Sequence, residues 1–349
     1  MSIFDFSDEK LREDFIHGNS FRELAHLDID NRIPFGYQTL TIPEDLPLLK
    51  DGRRKTVVCT RLDWETNCGN LLNTFAWLKN NIPYHEVILI TYGSYLSVPQ
   101  QFIDSLPPNV VKWYAVNADS TGDRFTGIPL GIAKPIWENG QISTIIENRS
   151  EKKDKLLYIN HNTETDKRTD RSGIRQGIYD RFRQEKGDWF TLKDQFGLCN
   201  LYGYDSMDEL SEDFDLPLCP PEEKSSYVEG VKERGRRIFE EGSKEVGEST
   251  KNYIKEMSSH KFTIAPAGMG FDTMRTWEAL YCKTIPILTD CNAMRHFEDL
   301  PVLYSEDFSE ITEEYLNEKY EEFMGRDWDL SKMFISYWRE DIERTYNGI

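Results

Sequence analysis

The chain has 349 residues, enough for two domains of ordinary size, each with its own core, and so for a cleft between them. Lys and Arg number 42 against 61 Asp and Glu, and the resulting charge of -19 repels a polyanionic backbone, so no nucleic acid partner is expected. The longest aliphatic run covers only 87–90 and the opening MSIFDFSDEKLREDF mixes acids and bases, so no integral membrane segment is expected and the chain reads as cytoplasmic.

In chain order, the β-branched run 56–60 predicts a strand, 71–80 a helix, 87–91 a strand, 100–105 a helical turn and 110–116 a strand. Continuous apolar strands separated by helices signal a parallel sheet covered on both faces. The segment 128–132 closes this half. After a polar stretch at 148–154, a second series follows, with strands at 156–160, 262–265 and 285–288 and a helix at 273–281. The acidic and then Lys/Arg-rich region from about Phe196 to Glu248 reads as an insertion carrying a solvated helix. The predicted fold is α/β, with two Rossmann-like doubly wound domains facing across a cleft. Residues 1–140 are expected to form the first domain and 141–325 the second, with the insertion at about 196–248. A helix within 326–349 is expected to pack back on the first domain.

Six cysteines, Cys59, Cys68, Cys199, Cys219, Cys282 and Cys291, include no Cys-x-x-Cys pair and no partnering histidine spacing. Neither a zinc site nor a disulfide framework is indicated. The six histidines are scattered, and each except His161 reads as a surface or core residue.

The most informative run is SHKFTIAPAGMGFDTMRTWEALY at 259–281. A buried strand enters a Pro/Gly-rich loop, which enters a helix whose expected N-cap is Asp272. Gly268 and Gly270 allow a backbone to approach a ligand where a Cβ would clash. The helix start offers unpaired N–H groups and a positive dipole end to an anion such as a diphosphate. Arg275 and Glu278 lie three apart on one helical face, while Met274, Trp277 and Tyr281 form an apolar stripe toward the sheet. An arginine on a phosphate and a carboxylate accepting two ribose hydroxyls would hold a nucleotide. An ordinary surface Arg–Glu pair behind a glycine turn fits the spacing equally well, because a short Gly-x-Gly is weak evidence by itself.

The run 261–281, with IPI at 285–287 and FEDLPV at 297–302, resembles the C-terminal domain of exostosin-type glycosyltransferases. The likeness continues forward to DFSEI at 307–311 and to Tyr337 and Trp338. It extends backward to LLYINHNT at 156–163, IPLGI at 128–132, KWYAVN at 112–117 and ILIT at 88–91, in the manner of small soluble bacterial and large-virus members. The resemblance implies a GT-B fold whose C-terminal domain holds a nucleotide-sugar, most readily a UDP-sugar, used as substrate with no further cofactor and no metal. It places Pro266, Gly268, Gly270, Asp272, Thr273, Arg275 and Glu278 around that donor, with Glu278 on the ribose. Asn160, His161, Asn162 and Thr163, at a strand's carboxyl end, would line the diphosphate side. Arg168 reads either as a second cation there or as a surface arginine. The acceptor would be a glycan or glycoconjugate hydroxyl.

The chain departs from the family pattern in two places. Relatives often carry an acid after the strand matching 87–91, where this chain reads YGSYL at 92–96, and the insertion at about 196–248 has no counterpart. The base for an inverting transfer must therefore be sought by placement, in a first-domain loop at a strand's carboxyl end. Asp63 and Asp119 occupy such loops, with Asp63 placed ahead because Trp64 beside it offers a stacking platform; both also read as ordinary loop or cap aspartates. Two rival functions remain. One is a metal-dependent transferase using an Asp-x-Asp triplet, at Asp28-Ile-Asp30, Asp213-Phe-Asp215 or Asp327-Trp-Asp329, none of which closes an apolar strand. The other is a sugar-nucleotide-binding module without catalysis.

Overall fold

The computed structural model describes residues 3–29, 54–61, 69–93, 95, 97–135, 140–163, 165–166, 172–185, 187–193 and 249–348. Asp63, Arg168, the insertion and the 213–215 triplet lie outside the described residues, as does Asp30 of the first triplet.

After helix α1 (Asp8–Asp14), capped by the Ser7 hydroxyl accepting from the Lys10 N–H, the first half builds a five-stranded parallel sheet. Its strands are β1 (Leu27–Asp28), β2 (Arg54–Arg61), β3 (His85–Tyr92), β4 (Val110–Ala115) and β5 (Phe125–Gly127), and they lie side by side in chain order. Helices α2 (Gly69–Asn81) and α3 (Gln100–Asp104) connect them. Alternation along each strand divides the apolar residues between two faces. Val58, Val87, Leu89, Trp113 and Ala115 cluster with Leu71, Phe75 and Leu78 of α2 and Phe102 of α3. Val57, Cys59, Ile88, Ile90, Tyr92 and Tyr114 join a second, larger core. Burial on both faces is why these strands read as unbroken apolar runs.

Helix α4 (Ile142–Asn148) leads into the second half. Its elements are β6 (Lys155–Ile159), α5 (Ile174–Gln184), β7 (Phe190–Leu192), α6 (249–258), β8 (His260–Ala265), α7 (Met274–Tyr281), β9 (Ile285–Thr289), α8 (Asn292–Arg295), β10 (Leu303–Ser305) and α9 (Glu313–Met324). This sheet is also parallel, with the order β10-β9-β8-β6-β7. It is wound in both directions from β6, as expected for a doubly wound half.

The first sheet is wound in one direction only among the described strands. Right-handed crossovers repeated in one direction place successive helices on one face, so the other face needs covering from elsewhere. The chain's two ends provide it. The larger core includes Leu11, Ile16 and Phe21 near the start, and Trp338 and Ile342 of the last helix, α10 (Ile335–Asn347). The α10 contact is polar as well: Lys55 Nζ donates to the Thr345 carbonyl at 3.1 Å and the Tyr114 hydroxyl to Asp341 at 2.7 Å. The Tyr281 hydroxyl of α7 ties both ends to the second half, accepting from the Ile16 N–H and donating to the Met333 carbonyl, each at 2.8 Å.

Candidate functional site

In the second sheet the chain runs from β6 outward to β7 on one side and returns to β8 on the other. Connections leaving β6 and β8 therefore diverge, and this topology sets a crevice between the carboxyl ends of these two strands, the place where open α/β sheets bind ligands. Its walls are residues 160–163 and 165–166 on one side and 266–273 on the other.

One buried side chain holds both walls. Arg175 lies on α5 in phase with Ile178, Tyr179 and Phe182, at i, i+3, i+4 and i+7, and is buried with them. Its Nη1 donates to the Asn162 carbonyl at 2.8 Å, its Nε to Ala267 at 2.9 Å and its Nη2 to Pro266 at 2.6 Å. Its backbone N–H donates to the Asp166 carboxylate at 3.1 Å. Burial first, and then the nearby Arg275 cation, push its pKa down to about 9, which leaves it charged at neutral pH. A Cβ on Gly268 would stand 3.0 Å from Arg175 Nη2 and 3.1 Å from Thr165 Oγ1, so the glycine permits this approach. The Gly268 N–H is itself bonded to the Gly270 carbonyl at 2.9 Å.

Helix α7 starts from Thr273, whose side chain makes no capping bond, rather than from Asp272. The Asp272 carboxylate instead turns inward, accepting from the Leu130 N–H at 2.7 Å and from Trp277 Nε1 at 2.8 Å. Burial pushes its pKa up to about 7 against these bonds. Asp272 is thus a clasp between the halves, and Leu130 supplies the other side of it.

Arg275, one turn on, is half-buried with its guanidinium 5.2 Å from the Tyr253 ring centroid. Its Nη1 is buried and has no hydrogen-bond partner among the described residues. Glu278 is buried and accepts from the Tyr253 hydroxyl at 2.8 Å. Burial raises its pKa, and Arg275 works in the opposite direction. Tyr253, on α6, lies beside Tyr158, with ring centroids 6.3 Å apart. The Tyr158 hydroxyl donates to Glu256 at 3.2 Å and accepts from Asn160 Nδ2 at 3.0 Å. His161 and Thr163 are buried on the same wall. His161 Nε2 lies 2.9 Å from the Arg175 carbonyl oxygen, and its Nδ1 is buried with no hydrogen-bond partner among the described residues.

The first half meets this crevice with its own strand ends. Asn117, just past β4, has a left-handed backbone (φ 56°), and its Oδ1 accepts from the Asp272 N–H at 2.8 Å. A Cβ on Gly270 would stand 3.0 Å from the Asn117 side chain and from the Tyr95 carbonyl oxygen. Both glycines expected to admit a ligand are here filled against by the protein's own atoms. Asp119, half-buried, lies two residues beyond Asn117 in this facing loop.

Of the expected residues, the structure brings together Asn160, His161, Asn162, Thr163, Pro266, Gly268, Gly270, Asp272, Thr273, Arg275 and Glu278 around one crevice. Sequence reasoning missed Arg175, Tyr253 and Asn117. Only Arg175 carried a signal, an arginine in register with an apolar helix stripe. A separate concavity of about 620 Å³, lined in part by Tyr304, Tyr315, Lys319, Arg326 and Trp328, shares none of these residues. Asp327 and Asp329 of the third triplet also border it, and Asp329 accepts from the Ser331 N–H at 2.9 Å.

Among the described residues, no group of three or more His, Cys, Asp or Glu is arranged to hold a metal ion, and no helix is long and apolar enough to cross a membrane. Cys59, Cys282 and Cys291 form no disulfide among the described residues. No family model and no curated protein matches this chain. A solved structure of a GtfA/B complex matches it at 12% identity over 83% of this chain and 54% of that one, with a TM-score of 0.31. The chain therefore spans about half the length of that structure's chain, and a likeness at this level assigns neither family nor activity.

Proposed function

We propose that this chain is a glycosyltransferase of GT-B architecture, resembling the exostosin type, which binds a UDP-sugar in the β6/β8 crevice and transfers the sugar to a glycan hydroxyl with inversion. The observation that carries the reading is Arg275 Nη1, a buried cationic donor without a hydrogen-bond partner among the described residues, at the start of α7 beside a switch-point crevice. A buried donor left unsatisfied costs about 1–3 kcal/mol, and an anionic ligand removes that cost.

In this reading Arg275 and the first-turn N–H groups of α7 stabilise the departing diphosphate. Glu278, oriented by Tyr253, accepts from the ribose. A carboxylate of the facing loops takes the proton from the acceptor hydroxyl as its oxygen bonds to the anomeric carbon. The bond from that carbon to the diphosphate oxygen breaks, and the electron pair leaves with the nucleoside diphosphate. Asp119 and Asp63 are the proposed bases, and Asp119 has the support of its loop touching the 268–272 segment. Charge neutralisation by Arg275 and backbone dipoles makes the transfer metal-independent.

A binding module without catalysis is the second reading. It is favoured by the sequence YGSYL at 92–96, which carries no acid where the resemblance leads one to expect it. A thermal-shift screen of UDP-, GDP- and dTDP-sugars, followed by an assay for transfer or slow hydrolysis with and without EDTA, separates the readings. Turnover that survives EDTA supports the proposal. Binding without turnover supports the module, and activity lost to EDTA and restored by Mn²⁺ supports an Asp-x-Asp mechanism.

A further inference from the structure

His161 stands two residues past the end of β6, in the crevice wall, and is 1% exposed. Its Nε2 stands 2.9 Å from the Arg175 carbonyl oxygen. A carbonyl oxygen only accepts, so Nε2 carries the hydrogen and donates, and a neutral ring then has a bare lone pair at Nδ1. The ring is neutral: burial first, and then the Arg175 cation, push its pKa down to about 3. Nδ1 is therefore a fixed acceptor that neither rotates away nor gains a proton at ordinary pH. It has no hydrogen-bond partner among the described residues, and a buried polar atom in that condition points to something the protein is built to receive.

Two complementary unmet groups thus lie among the residues that border the crevice, a buried donor at Arg275 Nη1 and a buried acceptor at His161 Nδ1, neither with a hydrogen-bond partner among the described residues. They are near enough that the Arg275 charge acts on the His161 ring. An ionised phosphate oxygen is an acceptor only: it satisfies Arg275 but confronts the Nδ1 lone pair with another lone pair. A hydroxyl can donate to Nδ1 and still accept from a cation.

We propose that His161 Nδ1 accepts a hydrogen bond from a hydroxyl of the bound ligand, which makes His161 a specificity residue that reads a sugar ring and not a diphosphate contact. The inference rests on the crevice being the nucleotide-sugar site. The hydroxyl belongs either to the ribose or to the transferred sugar, and the chemistry read at Nδ1 is the same for both.

Two variants of the full chain separate the functions of the two ring nitrogens. His161→Gln retains an N–H that reaches the Arg175 carbonyl but places no acceptor at the Nδ1 position. His161→Asn places a carbonyl oxygen near Nδ1 and gives up the Arg175 bond. Calorimetry would use UDP, its 2′-deoxy and 3′-deoxy analogues, UDP-xylose, UDP-glucuronic acid, UDP-N-acetylglucosamine and inorganic pyrophosphate. His161→Gln should bind the hydroxyl-bearing ligand about fivefold to thirtyfold more weakly, while pyrophosphate binding is unchanged. A loss seen with UDP-sugars and not with UDP assigns the hydroxyl to the sugar. A loss seen with UDP and absent for one deoxy analogue assigns it to the ribose. Unchanged affinity of His161→Gln for every probe would overturn the proposal, and so would an equal loss for pyrophosphate. If His161→Gln does not fold, His161→Asn decides, since retained affinity supports the proposal and lost affinity contradicts it. Should the wild-type chain bind no nucleotide at all, the reading of the crevice itself fails and takes this inference with it.

Discussion

In the first sheet the strands follow one another from β1 to β5, whereas in the second the order β10-β9-β8-β6-β7 reverses direction at β6. At the carboxyl ends of the first sheet, Asn117 Oδ1 and the Leu130 N–H are bonded to the Asp272 segment, and the Tyr95 carbonyl packs on Gly270. At the carboxyl ends of the second, His161 Nδ1 and Arg275 Nη1 are buried without hydrogen-bond partners among the described residues. Two sheets of the same architecture thus differ in what their strand ends are for. Where winding continues in one direction, loops pack on their neighbours and their polar groups are used within the protein. Where it reverses, Arg175 braces the two diverging loops, and buried polar atoms of His161 and Arg275 are left without hydrogen-bond partners among the described residues.

The largest effect should come from removing the residue that braces the two walls. Arg175→Met leaves the carbonyls of Asn162, Pro266 and Ala267 without their donor, so we expect a loss of about 3–5 kcal/mol in urea unfolding together with loss of nucleotide binding. A loss confined to binding, with stability unchanged, would mean that the guanidinium is not the brace described here.

The first half's contribution is sharpened by the two carboxylates. Asp119→Asn should lower turnover about 100-fold with UDP affinity intact if the loop facing Gly270 supplies the base. Near-normal turnover in Asp119→Asn with a selective loss in Asp63→Asn would move the base to the loop after β2.

A pH dependence separates the halves as well. His161 titrates near 6.5 in the unfolded chain and near 3 in the fold, so the unfolded state binds the extra proton between these values. Its contribution lowers stability as pH falls below 6.5. His161→Gln removes that contribution, so the stability of wild type relative to the variant should fall by about 1.4 kcal/mol per pH unit below 6.5, until the folded ring titrates. A difference independent of pH would place His161 in a less buried setting. The smallest expected effect is that of Tyr253→Phe, which deletes one hydrogen bond to Glu278. It should weaken UDP binding by about 0.5–1.5 kcal/mol while leaving pyrophosphate binding unchanged; equal weakening of both would separate Tyr253 from the ribose side.

Much of this was legible because strands buried on both faces write themselves as apolar runs: 56–60, 87–91 and 285–288 each lie inside an observed strand. The glycine loop and the Arg275/Glu278 spacing marked one wall of the crevice. The short edge strands β1, β5, β7 and β10, of two or three residues, carried too little pattern to be read. The inward turn of Asp272 was also illegible. An aspartate before a helix reads locally as a cap, and only the tertiary approach of the Leu130 N–H, 142 positions earlier in sequence, gives its carboxylate another partner. Winding direction likewise depends on which strands become neighbours, which no local window contains.

The account stands most directly on Arg275. Calorimetric titration of UDP into the wild-type chain, Arg275→Ala and Glu278→Ala, with thermal unfolding measured alongside, tests whether Arg275, whose Nη1 has no hydrogen-bond partner among the described residues, awaits a nucleoside diphosphate. We predict that each variant remains folded and loses about 1.5–3 kcal/mol of UDP binding. UDP affinity unchanged from wild type in both folded variants would contradict it.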